Sequence, residues 1–464
     1  MYRIFRHYIP TTLLLLGVAE TLILLVSVLI GVTLSVSGLL PNGTEFPSPG
    51  LISVQAVVFW LAILLGMIAM GLYQRDLRDA PLATLTRLAL SFVIGLLLMA
   101  LVNLVLPQAV AGVWTFLVAL CCAFLGIASC RILAYRSTDA HLTQRVLVFG
   151  VGERARQIEN LRRTSDRQGI TIVGFTDSAN AVPAVSVDKL LDSSNGLFEL
   201  VQRYAIDEIV VALDDRRKGI PIEPILQCKM HGIRILEVPD FYERQLGKIR
   251  LDSLHPSNVI FADGFIQAVA KTFTKRLFDI VASSILLLLA LPVMLLTALA
   301  ILIESGRPIF YCQERVGLRG EAFPVCKFRS MRVDAEKDGV ARWATRNDDR
   351  VTRVGEFIRK TRIDELPQLL NVLRGDMSFV GPRPERPSFV KELSAAIPYY
   401  DLRHHVKPGI TGWAQICYPY GASVKDAREK LQYDLYYLKN YSVFLDIAIL
   451  LQTVEVILWR KGAR

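Results

Sequence analysis

Four long apolar runs crowd the start of this 464-residue chain, near Thr11 to Val36, Leu51 to Leu72, Leu82 to Leu106 and Ala109 to Leu133. Each is long enough to cross the hydrocarbon core of a bilayer as a helix, which takes about 20 residues. The first run is too long for a signal peptide, and three similar runs follow it, so four spans are expected rather than a leader. A hydrophobic content of 52% and a mean hydropathy of +0.38 are too apolar for an ordinary soluble protein, and the length allows two or three domains.

Basic residues orient the bundle. Arg3 and Arg6 precede the first span, Arg75 and Arg78 lie between the second and third, and Arg131 and Arg136 flank the end of the fourth. The other two loops, Leu40 to Gly50 and Pro107 to Gln108, contain no Lys or Arg, so both ends of the bundle are expected to face the cytoplasm. The formal net charge is +10, with the basic residues concentrated after Ala140, which suits anionic lipid and anionic substrates. No nucleic-acid-binding motif accompanies that charge, and no nucleic acid partner is expected. The seven cysteines form no C-x-x-C pair and no zinc spacing and are read as free thiols.

From about Arg145 the pattern changes to short β-rich runs, Val146 to Phe149, Ile172 to Phe175, Ile209 to Leu213 and Ile233 to Val238, alternating with helical ones. This predicts a small parallel-sheet α/β domain of Rossmann-like type. Its first strand leads into Gly150-Val151-Gly152-Glu153-Arg154-Ala155, which fits G-x-G-x-x-A, and Asp177 follows near the ribose-binding spacing. Gly150, Gly152 and Asp177 are therefore candidate nucleotide-binding residues. Against that, Glu153 and Arg154 are bulky and charged where a dinucleotide would approach, so a fold that has lost its nucleotide is favoured.

The segment Arg362-Ile363-Asp364-Glu365-Leu366-Pro367 sets two adjacent carboxylates just before an apolar helical run. Asp364 is the expected helix N-cap, Pro367 lies in the first turn, and Gly375 ends the helix. A carboxylate pair at the positive end of a helix, among arginines, suits phosphoryl transfer: one carboxylate attacks phosphorus while the other holds a hard divalent cation. An isolated Asp-Glu pair would be no more than an ordinary helix start.

The pair is not isolated. Lys275-Arg276-Leu277-Phe278-Asp279, Gln313-Glu314-Arg315-Val316-Gly317, Lys327-Phe328-Arg329-Ser330-Met331, Gly381-Pro382-Arg383-Pro384 and Lys407-Pro408-Gly409-Ile410-Thr411-Gly412-Trp413-Ala414-Gln415 occur in one order from about Lys271 to the C-terminus. Together they resemble the bacterial polyprenyl-phosphate hexose-1-phosphate transferases. The resemblance implies transfer of a sugar 1-phosphate from a UDP-sugar to a polyprenyl phosphate with release of UMP, the first step of exopolysaccharide assembly. It implies Asp364 as nucleophile, Glu365 as the Mg2+ ligand, and Lys327, Arg329, Arg359, Arg383 and Asp434 as substrate-binding or phosphate-binding residues. UDP-glucose or UDP-galactose is the favoured donor. After Gln415 many relatives continue Val-Asn-Gly-Arg, whereas this chain has Ile416-Cys417-Tyr418-Pro419-Tyr420-Gly421-Ala422-Ser423, a replacement that resembles the branch of exosortase-linked exopolysaccharide clusters. His404 and His405 are read as structural.

A fifth apolar run, Ile280 to Ile303, contains Pro292 near its middle. A fifth crossing would carry the Asp364-Glu365 pair to the outer side, away from nucleotide sugars. Basic residues also flank both ends, with Lys271, Lys275 and Arg276 before and Arg307, Arg315 and Arg319 after. The expectation, shared by the family resembled, is a re-entrant helix over 277–303, broken at Pro292. Val443 to Trp459 is read as an amphipathic helix on the membrane surface.

The expected architecture is a membrane α-helical bundle (1–138), a Rossmann-like cytosolic domain (139–265), and a mainly α monotopic phosphoglycosyl transferase domain (266–464). The protein is expected in the bacterial inner membrane as a multi-pass protein, with its catalytic domain on the cytoplasmic face. The middle domain offers a surface for a homodimer. Two rivals are an NAD-dependent nucleotide-sugar dehydratase or epimerase, for which the Tyr-x-x-x-Lys motif is missing, and a non-enzymatic scaffold for polysaccharide assembly.

Overall fold

The computed structural model describes residues 2–4, 7–9, 11–37, 49–73, 81–107, 112–136, 143–161, 165–167, 169–177, 183–192, 194, 196–214, 220–254, 264–265, 269–333, 335, 350–419, 421 and 423–458. Arg6, Arg75, Arg78, most of the 40–50 stretch and the ending Gly462-Ala463-Arg464 lie outside the described residues. The chain divides into two compact units at Leu246/Gly247; the expected boundary at 265/266 lies further along the chain.

The first unit opens with helices α1 (Thr11–Val36), α2 (Pro49–Ala69), α3 (Pro81–Val105) and α4 (Val113–Arg136). Within α1, α3 and α4, Leu13–Val36, Leu82–Leu104 and Val113–Ala134 are long and apolar enough to cross a membrane, and α2 contributes the shorter apolar stretch Val54–Ala69. Helix α1 packs chiefly on α4, and α2 on α3. Small residues permit the close approach: a Cβ on Gly66 would lie 2.2 Å from the Ser91 carbonyl, and one on Gly31 2.5 Å from that of Thr115.

One charged pair crosses this apolar interior. Glu20 of α1 and Arg131 of α4 are buried, with Nε 2.6 Å from Oε1 and Nη2 donating to Oε2 at 3.1 Å. Arg131 Nη1 also donates to the Leu72 carbonyl at 3.0 Å, and the Tyr73 hydroxyl donates to the Glu20 carboxylate. Charges so far from water survive because each is matched, and the match locks α1, α4 and the end of α2 together.

The rest of this unit is a four-stranded parallel sheet of β1 (Gln144–Phe149), β2 (Ile170–Thr176), β3 (Glu208–Val211) and β4 (Arg234–Glu237), in the order β2-β1-β3-β4. Alternation along β1 feeds two cores. Val146 and Val148 join Ala155 and Ile158 of α5 (Glu153–Glu159) and Phe241 and Tyr242 of α8 (Val238–Leu246). Leu147 and Phe149 join Leu197, Leu200 and Val201 of α6 (Leu197–Arg203) and Cys228 of α7 (Ile222–Met230). A parallel sheet covered on both faces needs this near-continuous apolar run.

The second unit is organised by α9, a 37-residue helix from Val269 to Ser305, about 55 Å long if straight. Pro292, where a break is predicted, lies inside it and helical turns continue on either side, since one proline removes a single N–H and need not end a long helix. Both ends of α9 are tied to the same domain. At its start Arg276 donates to the carbonyls of Val372 (2.5 Å) and Leu373 (2.7 Å), and Asp279 accepts from Ser378 Oγ (3.0 Å) and Phe379 N (3.1 Å). At its end Glu304 accepts from Arg353 N (2.9 Å) and Val354 N (3.1 Å), capping α10 (Arg353–Lys360), and Ser305 and Gly306 accept from Arg329. Its middle residues Leu288, Leu289, Leu295 and Leu296 are exposed.

Two further expectations are corrected here. Cys312 and Cys326 are not free thiols. They face each other across the antiparallel hairpin of β5 (Phe310–Val316) and β6 (Ala322–Phe328) and form a disulfide, because directly opposed strand residues stand within bridging distance. The C-terminal helix α13 (Val443–Leu458) does not rest all its apolar surface on a membrane. Leu445 and Ile449 enter the domain core, and buried Asp446 meets Lys275 Nζ at 2.6 Å.

Replacing Glu20 by Ala strands Arg131 among apolar side chains. The expected cost is about 3–5 kcal/mol, seen as a lower melting temperature of the detergent-solubilised protein. The paired substitution Glu20→Leu with Arg131→Met should recover most of it.

Candidate active site

The carboxylate pair stands on a short 3-10 turn, Ile363–Glu365, ahead of α11 (Gln368–Arg374). Asp364 is therefore not the helix N-cap; Pro367 holds that position without a side-chain cap, and Gly375 ends the helix with a φ of 102° as its sequence position predicts. Arg362, just before the turn, has a φ of 59°. A non-glycine residue in the left-handed region is costly, and here it turns Asp364 and Glu365 inward, where both are buried.

Three cations converge on Glu365. Arg383 Nη2 donates to Oε1 at 2.9 Å, Lys327 Nζ lies 3.3 Å from the same oxygen, and Arg362 Nη1 lies 3.3 Å from Oε2. Burial pushes its carboxyl up, but Arg383, Lys327 and Arg362 outweigh burial and hold it well below the usual carboxylate range. Asp364 moves the other way. Burial, and then the charge of Glu365, push it up to about 6 against the pull of Lys327, Arg383 and Arg362. Adjacent carboxylates with opposite shifts commonly divide roles at catalytic sites.

Asp364 lines a cavity of about 660 Å3. Among the described residues, eleven of the lining side chains are Lys or Arg and three are Asp or Glu, so the cavity is built for polyanions. Lys327, Arg329, Arg359, Arg383 and Asp434 all line it, as the sequence predicts for a shared site; Glu365 lies behind the lining and acts on it through its cations. The Arg359 guanidinium makes no hydrogen bond or ion pair among the described residues. Arg329 spends Nη2 on Ser305 O (2.9 Å), Ser305 Oγ (2.7 Å) and Gly306 O (2.7 Å), closing the end of α9, while its Nε and Nη1 have no hydrogen-bond partner among the described residues.

Asp434, on α12 (Val424–Asn440), is committed elsewhere than to a phosphate: its Oδ2 meets Arg403 Nη2 at 2.9 Å. Arg403 also donates to the Tyr400 hydroxyl at 2.8 Å and to the Arg383 carbonyl at 2.9 Å. An anion binding another anion would need a bridging cation, and Arg403 supplies it. Arg403, Arg362, Arg315, Gln415, Glu385 and Lys430 also line the cavity without having been singled out as site residues, although Arg315 and Gln415 lie within recognised motifs. Beside Arg403, His404 is pushed down to about 4, by burial and then by the arginine's charge, which fits a neutral structural histidine.

In the other unit Gly150, with a φ of 130°, passes close to the Ala212 carbonyl, and Asp177 lies just beyond β2. The turn before α5 is occupied by Asp214, whose oxygens accept from Glu153 N (2.7 Å) and Arg154 N (2.9 Å). A Cβ on Gly152 would lie 2.1 Å from that carboxylate, so the glycine serves this internal contact.

Sequence comparison agrees with the geometry of the second unit. The family profile described as bacterial sugar transferase matches residues 270–460. UDP-glucose:undecaprenyl-phosphate glucose-1-phosphate transferase of Xanthomonas campestris pv. campestris is 32% identical, over 69% of this chain and 68% of that protein. This chain belongs to the bacterial sugar transferase family. UDP-N-acetylgalactosamine-undecaprenyl-phosphate N-acetylgalactosaminephosphotransferase of Aeromonas hydrophila is 42% identical, over 56% of this chain and 60% of that relative. UDP-glucose:undecaprenyl-phosphate glucose-1-phosphate transferase of Caulobacter vibrioides is 44% identical, over 43% of this chain and 75% of that relative. The cavity lies within the residues that the family profile matches.

Arg403→Ala would leave Asp434 buried without its cation. A loss of about 3–5 kcal/mol is expected, measured by thermal unfolding, with Asp434→Asn milder because it removes the charge instead of stranding it.

Proposed function

We propose that this protein transfers a sugar 1-phosphate from a UDP-sugar to undecaprenyl or another polyprenyl phosphate, initiating exopolysaccharide assembly. The observation that carries this reading is a buried Asp364 carboxylate lining a cationic cavity, with no hydrogen bond or ion pair among the described residues, beside a Glu365 already neutralised by three cations. In the first half-reaction an Asp364 oxygen attacks the sugar-bearing phosphorus, the anhydride P–O bond breaks, and UMP leaves with the bonding electrons. In the second, an oxygen of the polyprenyl phosphate attacks the same phosphorus and releases Asp364 as a carboxylate. One anhydride replaces another, so no ATP is needed. Arg383 and Lys327 neutralise the diphosphate as the nucleophile approaches, Arg359 adds a guanidinium that makes no hydrogen bond or ion pair among the described residues, and Arg329 offers Nε and Nη1.

The carboxylates suit Mg2+. Among the described residues two cations meet Glu365 Oε1 and one meets Oε2, so Glu365 would hold the ion through Oε2, substrate phosphates and water completing its shell. Bound there, it would supply charge neutralisation on the phosphate oxygens. Among the described residues no cluster of three or more His, Cys, Asp or Glu could hold a metal alone, which fits an ion that arrives with its substrate.

A re-entrant α9 in the inner membrane, with the cavity on the cytoplasmic face, is part of the same reading. Both ends of the helix bond to one domain while its middle exposes leucines. A spanning helix would hold those ends on opposite sides of the bilayer. The parallel-sheet domain is read as Rossmann-like without a nucleotide, since Asp214 takes the N–H groups a pyrophosphate would use. A homodimer through that domain belongs to this reading as well.

The donor is a UDP-hexose. Relatives are named for glucose, galactose and N-acetylgalactosamine donors, so the test is UMP release from membranes given Mg2+, polyprenyl phosphate and each UDP-sugar in turn. Asp364→Asn should lower release about a thousandfold or more; full activity in that variant would exclude the nucleophile. Because Asp364 must be ionised to attack and its carboxyl is pushed up to about 6, kcat/KM should fall as pH drops through about 6. An acid limb near the ordinary carboxylate value instead would remove this assignment.

A further inference from the structure

Glu385 stands out in the cavity because its sign is wrong. The lining is predominantly cationic, and a carboxylate there weakens the field that draws in a diphosphate. Of the other acidic lining residues, Asp364 is the reactive group and Asp434 is consumed by Arg403. Glu385 has neither explanation. Its side chain is 28% exposed, and the one cation paired with it among the described residues, Arg315 Nη1, stands at 3.6 Å, beyond hydrogen-bonding distance. No hydrogen bond to its carboxylate exists among the described residues, so this cavity-lining group keeps acceptor capacity for a ligand.

Arg383 reaches from Glu365 (2.9 Å) to Gln415 Oε1 (3.2 Å), and the same cavity is lined by Phe389, Tyr418, Ser423, Ala427 and Lys430. Aromatic and small side chains mixed with a few polar groups are how proteins hold the uncharged part of a ligand. Carboxylates accept hydrogen bonds from hydroxyl pairs but repel phosphate oxygens. We propose that Glu385 binds a vicinal diol of the donor, orienting the nucleotide sugar so that its diphosphate lies along Arg383 toward Asp364. This rests on the UDP-sugar reading above. Two parts of the donor carry such a diol, the ribose and the hexose.

The sign of one mutational effect separates this role from simple electrostatics. Removing a negative charge from an anion-binding cavity should tighten UDP-sugar binding, whereas removing a hydroxyl acceptor should weaken it. Glu385→Ala is expected to raise the KM for the UDP-sugar about 10- to 100-fold while kcat changes much less. Glu385→Gln, which keeps the shape and one acceptor oxygen, should fall between Ala and wild type. An unchanged or lowered KM in both variants would overturn the proposal. If the inhibition constant of UMP rises in parallel with KM, the ribose is the partner; if UMP inhibition is unchanged while KM rises, it is the hexose. Wild-type membranes are assayed alongside: failure of the wild type to release UMP with any donor would count against the transferase itself, whereas an active wild type with indifferent Glu385 variants sinks only this inference.

Discussion

The ion cluster around Glu365 sets the chemistry of the cavity. Arg383, Lys327 and Arg362 come from three separate segments, and a single carboxylate brings their charges together. Without that carboxylate three cations would repel one another in a buried space, and without them a buried glutamate would take up a proton. The same cluster acts on Asp364 through charge. It partly offsets the burial and the neighbouring glutamate that push Asp364 toward protonation, leaving a group that ionises near neutrality.

A second layer supports the first. Arg403 grips the backbone carbonyl of Arg383 and is itself held by Asp434 and Tyr400, so an arginine that meets the cavity is fixed at both main chain and side chain. Burial pushes the Asp434 carboxyl up and Arg403 opposes it, which is why the pair tolerates an interior position. Helix α9 extends the same logic: Arg276 satisfies the last carbonyls of α11, and Glu304 satisfies the first N–H groups of α10. The apolar helix and the turn bearing Asp364 are thereby parts of one hydrogen-bonded body.

Much of this was legible beforehand. The apolar helices at the start of the chain, the parallel strands with their two-residue alternation, and the glycine closing α11 follow from local pattern. Lys327, Arg329, Arg359, Arg383, Asp364 and Asp434 were singled out, and all six line one cavity. What was misread depends on distant neighbours. Asp364 looked like a helix cap because the left-handed Arg362 cannot be read from residue type. Cys312 and Cys326 are separated by 14 positions and show no motif; only hairpin register makes them partners. Asp446 suggested a wet helix face until Lys275, far away in sequence, neutralised it.

The sequence by itself determined which segments are apolar enough for a bilayer, where strands and helices alternate, and which family the second half resembles, because hydrophobic period and motif order are local properties of the chain. The tertiary structure alone decided that Glu365 is neutralised from three directions, that Asp434 serves Arg403, that Asp214 fills the glycine-rich turn, and that Glu385 lines a cationic cavity beside Arg315. Each of those depends on a distance between residues far apart in the chain, and charge or hydrogen-bond energy is a function of distance that no reading along one strand of letters contains.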